Sequence, residues 1–135
     1  MKKLFSSQPF IQNGGIAFIR IVTGAFLVYH GWEVFDSATM QQYVQGDMFK
    51  TSAHPLLMPY LGKSSELIAG VLLVLGLFTR VACIIVICTF VYITFFIGSG
   101  KFWYDDQHPF MFVLMGLVFF FTGPGKLSVD RKLFG

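Results

Sequence analysis

The stretch Glu66–Arg80 reads ELIAGVLLVLGLFTR, an apolar run that begins with an acidic residue and ends with a basic one. On a helix, the small and charged residues of this stretch fall within about 80° of one another and form a single face. That face consists of Glu66, Gly70, Leu73, Leu77 and Arg80. Charged groups are costly to place against lipid, so the face is predicted to meet protein. Glu66 and Arg80 are roughly 21 Å apart along the axis, and each therefore needs its own partner.

The composition indicates an integral membrane protein. Of the 135 residues, 55% are hydrophobic and 13% are charged, and the mean hydropathy is +0.67. The apolar residues are concentrated in runs separated by short polar loops, and a soluble fold would leave too much apolar surface uncovered. The length predicts one domain, 1–135. Because no basic run exceeds two residues, the net charge of +3 is attributed to membrane topology, and no nucleic-acid partner is predicted.

Four apolar segments are predicted to cross the bilayer as helices, at about residues 15–35, 64–79, 81–97 and 108–122. The connection between the second and third, Phe78 to Val81, is so short that these two helices must be antiparallel neighbours. The fourth segment is short and requires local bilayer thinning or extension at its ends. The predicted fold is an all-α, four-helix transmembrane bundle. In the long loop before the second span, Ser37 either caps a short surface helix or belongs to an irregular loop.

The distribution of lysine and arginine predicts the orientation. Basic residues are more frequent in the N-terminal tail, the turn between the second and third spans, and the C-terminal tail. These are Lys2, Lys3, Arg80, Lys126, Arg131 and Lys132, against Lys50, Lys63 and Lys101 in the other two loops. Since basic loops stay on the cytoplasmic side, both termini are predicted to be cytoplasmic.

Several motifs together resemble the DoxX family. They are Arg20 early in the first span, His30-Gly31 near its end, Glu66-x-x-x-Gly70 leading through LLVLGLFTR, and the closing GPGKLSVD of residues 123–130. The similarity covers about residues 16–130. It implies a small, multi-pass bacterial inner-membrane protein of four helices, associated in some members with quinone-linked oxidoreductase complexes. The expected partners are the lipid bilayer and other subunits of such a complex, with homo-oligomerisation as a further option.

One polar group gathers at the predicted outer half of the bundle. His30 and Glu66 are the candidate catalytic residues, because a carboxylate beside an imidazole exchanges protons near neutral pH, as quinone chemistry requires. Trp32, Glu33 and His108 are the candidate ligand-binding residues. Glu66 is expected to face His30 and to border a cavity open toward the outer leaflet. In the alternative reading, Glu66 and His30 hydrogen-bond only to hold helices together.

A second polar group, Arg20, Arg80 and Asp130, belongs to the predicted cytoplasmic half. If the chain turns back after Gly125, Asp130 is the acid that reaches either arginine. An Asp130–arginine pair would then clamp the tail against the bundle. These three residues are interpreted as structural, with substrate binding as the alternative.

The sequence predicts no metal site and no certain cofactor. Haem is disfavoured because it would need His30 and His108 at matching depth, and Cys83 and Cys88 lack the spacing of a redox pair. The leading hypothesis is an accessory or anchor subunit of a quinone-linked redox complex. The alternatives are a membrane binding protein or carrier for a small apolar molecule, and a purely structural subunit of a larger assembly. Whether the chain is itself an enzyme stays open.

Overall fold

The computed structural model describes residues 11–135, and Lys2 and Lys3, which contributed to the predicted orientation, lie outside that range. Over the described range the chain is helical and contains no strand, which confirms the predicted class. The helices are α1 (Gln12–Gly31), α2 (Ser37–Gln45), α3 (Met58–Leu75), α4 (Thr79–Tyr92), α5 (Gln107–Thr122) and α6 (Val129–Phe134). Short 3₁₀ turns cover Trp32–Phe35 and Asp47–Phe49, and a π-helical turn, Ile93–Ile97, follows α4.

Three helical segments are long and apolar enough to cross a membrane: Gln12–Phe35, Met58–Leu75 and Thr79–Ile97. The apolar helix α5 is shorter, with 16 residues. The outward faces of all four carry large apolar side chains, such as Phe26, Ile68, Ile84 and Phe121, of which 50–76% is exposed. Exposed apolar surface of this extent is typical of a protein that is surrounded by lipid. The prediction of a membrane protein is therefore confirmed.

Helices α1 and α3 are antiparallel and nearly touch along their backbones. A Cβ atom added at Gly24 would lie 2.8 Å from the carbonyl oxygen of Gly70, and one added at Gly70 would lie 2.7 Å from the amide nitrogen of Val28. Small residues at facing positions let membrane helices approach this closely. The predicted buried face of α3 is observed at Glu66, Gly70 and Leu73.

The turn from α3 to α4 comes earlier than the sequence predicts. Gly76 ends α3 with a φ of 64°, and the amide of Leu77 bonds back to the carbonyl of Leu72, which is the Schellman ending that glycine favours. Helix α4 begins at Thr79. Arg80 therefore lies in the first turn of α4, exposed, and is not on the buried face of α3.

The remaining elements complete the packing around a core that includes Leu27, Leu73, Val86 and Phe119. Helices α4 and α5 pack together, and the rings of Phe90 and Phe112 stack with centroids 4.8 Å apart. Ahead of α3, the loop does contain a short helix, α2. Its cap is Asp36, whose carboxylate accepts a hydrogen bond of 3.1 Å from the amide of Ala38, whereas the predicted cap, Ser37, is the first helical residue.

Candidate functional site

A cavity of about 600 Å³ lies between the first half of α3 and the second half of α4. The end of α1, the start of α5 and the α2 region complete its wall. Most of the wall is apolar, including Met58, Leu61, Phe90, Ile93 and Phe112. We call this space the α3–α4 cavity. Ligand sites commonly combine such apolar walls with a few polar groups.

The polar groups of the cavity are concentrated around Lys63. Its ammonium nitrogen lies 3.2 Å from Oε2 of Glu66 and 3.0 Å from Oε2 of Glu33. The same Glu33 oxygen accepts a 2.9 Å hydrogen bond from the hydroxyl of Tyr43. We call these four residues the Lys63 cluster. It ties the 3₁₀ turn after α1 and the helix α2 to the first half of α3.

The Lys63 cluster is shielded from solvent at its centre. Only 7% of the Glu66 side chain and 15% of the Lys63 side chain are exposed, against 29% for Glu33. An ionised carboxylate in apolar surroundings destabilises the fold unless it is paired with a cation. One ammonium therefore serves two carboxylates, and the cluster carries one net negative charge when all three groups are ionised.

Tyr43 reaches the cluster because α2 is anchored at both its cap and its middle. The Asp36 carboxylate caps the helix, and Met40 is fully buried beneath it. Burial and the hydrogen bond to Glu33 raise the pKa of the Tyr43 phenol. The phenol therefore keeps its proton at neutral pH and acts as a donor to Glu33.

The α4 side of the cavity continues into the π-helical turn. Ile93 and Ile97, its first and last residues, both line the space. Within the turn, the Thr94 hydroxyl donates a 2.7 Å hydrogen bond to the carbonyl of Phe90. Single π turns inserted in a helix occur frequently at functional sites, because they widen the helix locally and redirect side chains.

At the other end of the molecule, Arg20 holds the C-terminal tail to α1 and α3. Its side chain is completely buried. The guanidinium donates to the carbonyls of Leu73 and Val74 in the last turn of α3, and to those of Pro124 and Leu127 in the tail. The last carbonyls of a helix lack partners within that helix and attract a cation. Arg20 therefore ties the C-terminal tail to the end of α3.

Asp130 also fixes the tail, but it does so through the backbone. Its two carboxylate oxygens accept hydrogen bonds of 2.6 Å from the amide of Phe78 and 2.8 Å from the amide of Thr79, so Asp130 caps α4 from a distance in sequence. No arginine within residues 11–135 lies within 4 Å of it, which corrects the predicted Asp130–arginine pair. Burial acts to raise the pKa of Asp130, but these amides, the adjacent Thr79 side chain and the charge of Arg20 outweigh it and lower the pKa.

Comparison with known proteins gives the family. The family model described as DoxX matches residues 15–99. The chain belongs to the DoxX family. A protein of Haemophilus influenzae described as "Uncharacterized protein" is 30% identical to it, over 99% of this chain and 98% of the relative. No solved structure gives a significant match.

The DoxX match includes the whole Lys63 cluster and the α4 wall of the cavity. It ends before α5 and before the closing GPG motif, which therefore lie outside the matched residues. The resemblance that the sequence motifs indicated is confirmed at the level of the family. The relative's description names no activity, so the function of this DoxX chain rests on its own geometry.

The structure brings together three of the predicted site residues. Glu66, His30 and His108 all line the α3–α4 cavity, and the two imidazole rings have centroids 6.4 Å apart. Glu66 takes its ion pair from Lys63 rather than from His30, however. Glu33 belongs to the Lys63 cluster. Trp32 is 63% exposed and packs on Phe35 at a centroid distance of 5.2 Å, and so is not part of the cavity wall.

Sequence reasoning missed Lys63 and Tyr43. Lys63 was counted among the loop lysines because the second span was predicted to start near residue 64. With Pro59 in the first turn, a position that proline favours, α3 starts at Met58 instead. Lys63 and Glu66 are then three residues apart on one helix, which is the spacing of a paired face. Tyr43 gave no such local signal, since it reaches the cluster only through the folding of α2.

Proposed function

We propose that this DoxX chain binds a quinone, or a closely similar small amphipathic molecule, in the α3–α4 cavity, as an accessory subunit of a quinone-linked redox complex. The observation that carries the proposal is the buried Lys63–Glu66 pair at the edge of a mostly apolar cavity. A molecule with an apolar ring and tail and a few acceptor oxygens has the complementary chemistry.

The residues present fit a quinone. A quinone when bound supplies carbonyl oxygens that accept hydrogen bonds, and it takes up protons together with electrons. The Lys63 ammonium is the cation available to donate to such an oxygen. Phe90 and Phe112, stacked on the cavity wall, offer flat apolar surface for the ring. The Glu66 carboxylate and the His30 imidazole border the same space, where they can hold and pass on a proton.

The proposal includes a topology for the whole chain. We propose that α1, α3, α4 and α5 all cross the bacterial inner membrane as one domain, with both termini in the cytoplasm. Lys63 is engaged in the buried cluster and no longer counts as a loop charge. Among the described loops and tails, Arg80, Lys126, Arg131 and Lys132 then stand against Lys50 and Lys101, which keeps the two-to-one excess of the sequence count and supports the same orientation.

The decisive experiment compares two ligands of the same shape. The purified full-length chain in detergent is titrated with a decyl-substituted benzoquinone and with decylbenzene, followed by native mass spectrometry. The quinone is expected to bind at least about tenfold more tightly, because a hydrogen bond to a charged group contributes roughly 1.5–3 kcal/mol. Lys63→Met should abolish that preference, and Glu66→Gln should alter it.

The matched control is Lys50→Met, which removes an exposed lysine paired only with Asp47. It should leave the preference for the quinone unchanged. Equal binding of the two ligands by the unaltered chain would contradict the quinone proposal and favour a carrier for apolar molecules. Mass spectrometry of the chain after gentle extraction from its membrane tests the second part of the proposal, since quinone and redox subunits should copurify.

A further inference from the structure

Two histidines from different helices meet in the wall of the α3–α4 cavity. His30 belongs to the last turn of α1 and His108 to the first turn of α5, and both line the space. Their ring centroids are 6.4 Å apart, with the ring planes at 75°. Their other ring contacts are aromatic, with Tyr29 and Phe112 respectively, and within residues 11–135 neither imidazole makes a hydrogen bond. The ring nitrogens of this histidine pair are therefore available to a ligand.

The separation of the two rings fits one shared oxygen atom. A hydrogen bond joins its donor and acceptor atoms at about 2.7–3.2 Å, so two rings with centroids 6.4 Å apart are too distant to bond each other directly. A single oxygen between them can accept from both, since a carbonyl oxygen has two lone pairs and a neutral imidazole carries one N–H donor. The histidine pair therefore has the geometry of a two-donor site for one carbonyl oxygen.

The loop before α5 fixes the position of His108. The carboxylate of Asp106 accepts hydrogen bonds of 2.9 Å from the amide and 2.8 Å from the hydroxyl of Ser99, and one of 3.1 Å from the amide of Lys101. These bonds tie the start of α5 to the residues that follow the π-helical turn. A donor that is already held in place loses little conformational freedom when a ligand binds.

The histidine pair also adjoins the flat apolar wall of the cavity. The ring of Phe112 has its centroid 5.6 Å from that of His108 and stacks on Phe90 at a centroid distance of 4.8 Å. A ligand ring that packs on these two phenylalanines therefore has one edge beside the histidines. Lys63 lines the same cavity from α3. The cavity thus offers two sets of hydrogen-bond donors, which come from different helices.

We propose that His30 and His108 together bind a second oxygen of the ligand, while Lys63 binds the first. This inference rests on the proposed quinone function and deepens it, because it assigns the cavity to rings with two carbonyl oxygens. A molecule with a single polar end would leave one set of donors without an acceptor, which lowers its affinity. The histidine pair is then a determinant of ligand specificity, and Lys63 orients the ring toward it.

The test compares two ligands that differ in the second oxygen. The purified full-length chain in detergent is titrated with a decyl-substituted benzoquinone and with decyl phenyl ketone, which has one carbonyl, and binding is followed by native mass spectrometry. The quinone is expected to bind about tenfold more tightly, the combined effect of two hydrogen bonds between neutral groups. His30→Phe and His108→Phe should each reduce this ratio by about threefold.

Binding of the ketone shows whether the variants are folded. Its one carbonyl takes the stronger bond, to the charged Lys63, so both phenylalanine variants should bind the ketone as the unaltered chain does. His108→Gln keeps an N–H donor and should retain most of the preference for the quinone. Lys63→Met should remove that preference together with the preference over decylbenzene, because the ring is no longer oriented toward the histidines.

His54→Phe is the matched control, because His54 is exposed and does not line the cavity. It should leave the ratio of quinone to ketone binding unchanged. Equal binding of quinone and ketone, both tighter than decylbenzene, would overturn the role of the histidine pair and leave the proposed function standing. Equal binding of all three ligands would contradict both. A preference for the quinone that survives in the His30→Phe/His108→Phe double variant would also overturn the inference.

Discussion

At the scale of single residues, Lys63 organises the candidate site. Its ammonium joins two carboxylates from different elements, Glu33 in the 3₁₀ turn that follows α1 and Glu66 in α3. The sequence had assigned His30 as the partner of Glu66. An ammonium is the better partner for a buried carboxylate because it carries a full positive charge at neutral pH, whereas an imidazole is largely neutral. The flexible four-carbon stem also lets Lys63 serve both acids at once.

We predict that Lys63→Met lowers the free energy of unfolding by about 3 kcal/mol, because it leaves Glu33 and Glu66 without their cation. Adding Glu66→Gln should recover part of that loss, since the amide removes the buried charge. The unfolding temperatures of the two single variants and the double variant, measured in detergent, would give the coupling between Lys63 and Glu66.

The control for this cycle pairs Glu66→Gln with His30→Phe. The effects of these two substitutions on the free energy of unfolding should be closer to additive than those of the Lys63 and Glu66 substitutions. The reason is that the ammonium, and not the imidazole, is in ion-pair contact with Glu66. A larger coupling to His30 than to Lys63 would contradict the arrangement described here and restore the partner that the sequence suggested.

At the scale of elements, the ends of the helices determine which residues meet. The start of α3 at Met58 brings Lys63 into the helix, and its end at Gly76 moves Arg80 to α4. Gly76 is close to the tail as well: a Cβ atom there would lie 2.6 Å from Cβ of Ser128, and its own carbonyl accepts a hydrogen bond from the amide of Asp130. The turn and the tail are therefore built as one unit.

Asp130→Asn should destabilise this unit by about 1 kcal/mol at neutral pH, because one capping oxygen and the negative charge at the start of α4 are lost. The folded-state pKa of Asp130 is lowered, so the stabilisation is fully present above the unfolded-state value, about 4. It is lost as the pH falls through the folded-state pKa. Unfolding temperatures measured between pH 7 and pH 3 should show the difference between the two proteins shrinking toward acid.

Asp105→Asn serves as the control for the pH series. Asp105 pairs with Lys101 at 3.6 Å, and the two side chains are 50% and 56% exposed. Exposed pairs of this kind contribute little to stability, so the variant should follow the unaltered chain at every pH. A difference between Asp130→Asn and the unaltered chain that stays constant down to pH 3 would argue against the carboxylate as the cap.

At the scale of the whole molecule, the polar residues fall into two sets at opposite ends of the helices. The Lys63 cluster and the α3–α4 cavity occupy one end. Arg20 and Asp130 occupy the other, where the C-terminal tail meets the helix ends. The two ends differ in kind: one surrounds an apolar space with a buried ion pair, whereas the other binds the tail to the helix ends and presents exposed arginines. The proposed topology assigns the second end to the cytoplasm.

Cysteine labelling tests that topology. In a background without Cys83 and Cys88, Lys101→Cys and Lys126→Cys each place a single thiol at an exposed position near opposite ends. With an impermeant thiol reagent on intact cells, we expect labelling at position 101 but not at position 126. Permeabilised cells should label at both positions, which controls for reactivity. Labelling of position 126 alone in intact cells would reverse the orientation.

The sequence by itself determined the membrane class, the helical fold, the family and most helix positions, because these follow from the apolar runs and the local motifs between them. It also identified Glu66 as a buried polar residue that needs a partner, whereas Arg80, which it placed on the same buried face, is exposed at the start of α4. The tertiary structure decided which groups pair with the polar residues. Lys63 forms ion pairs with Glu33 and Glu66, and Tyr43 donates a hydrogen bond to Glu33. Backbone carbonyls accept hydrogen bonds from Arg20, and backbone amides donate to Asp130. Such contacts join segments far apart in the chain, and they depend on helix ends and on how closely α1 and α3 approach, neither of which apolar periodicity specifies.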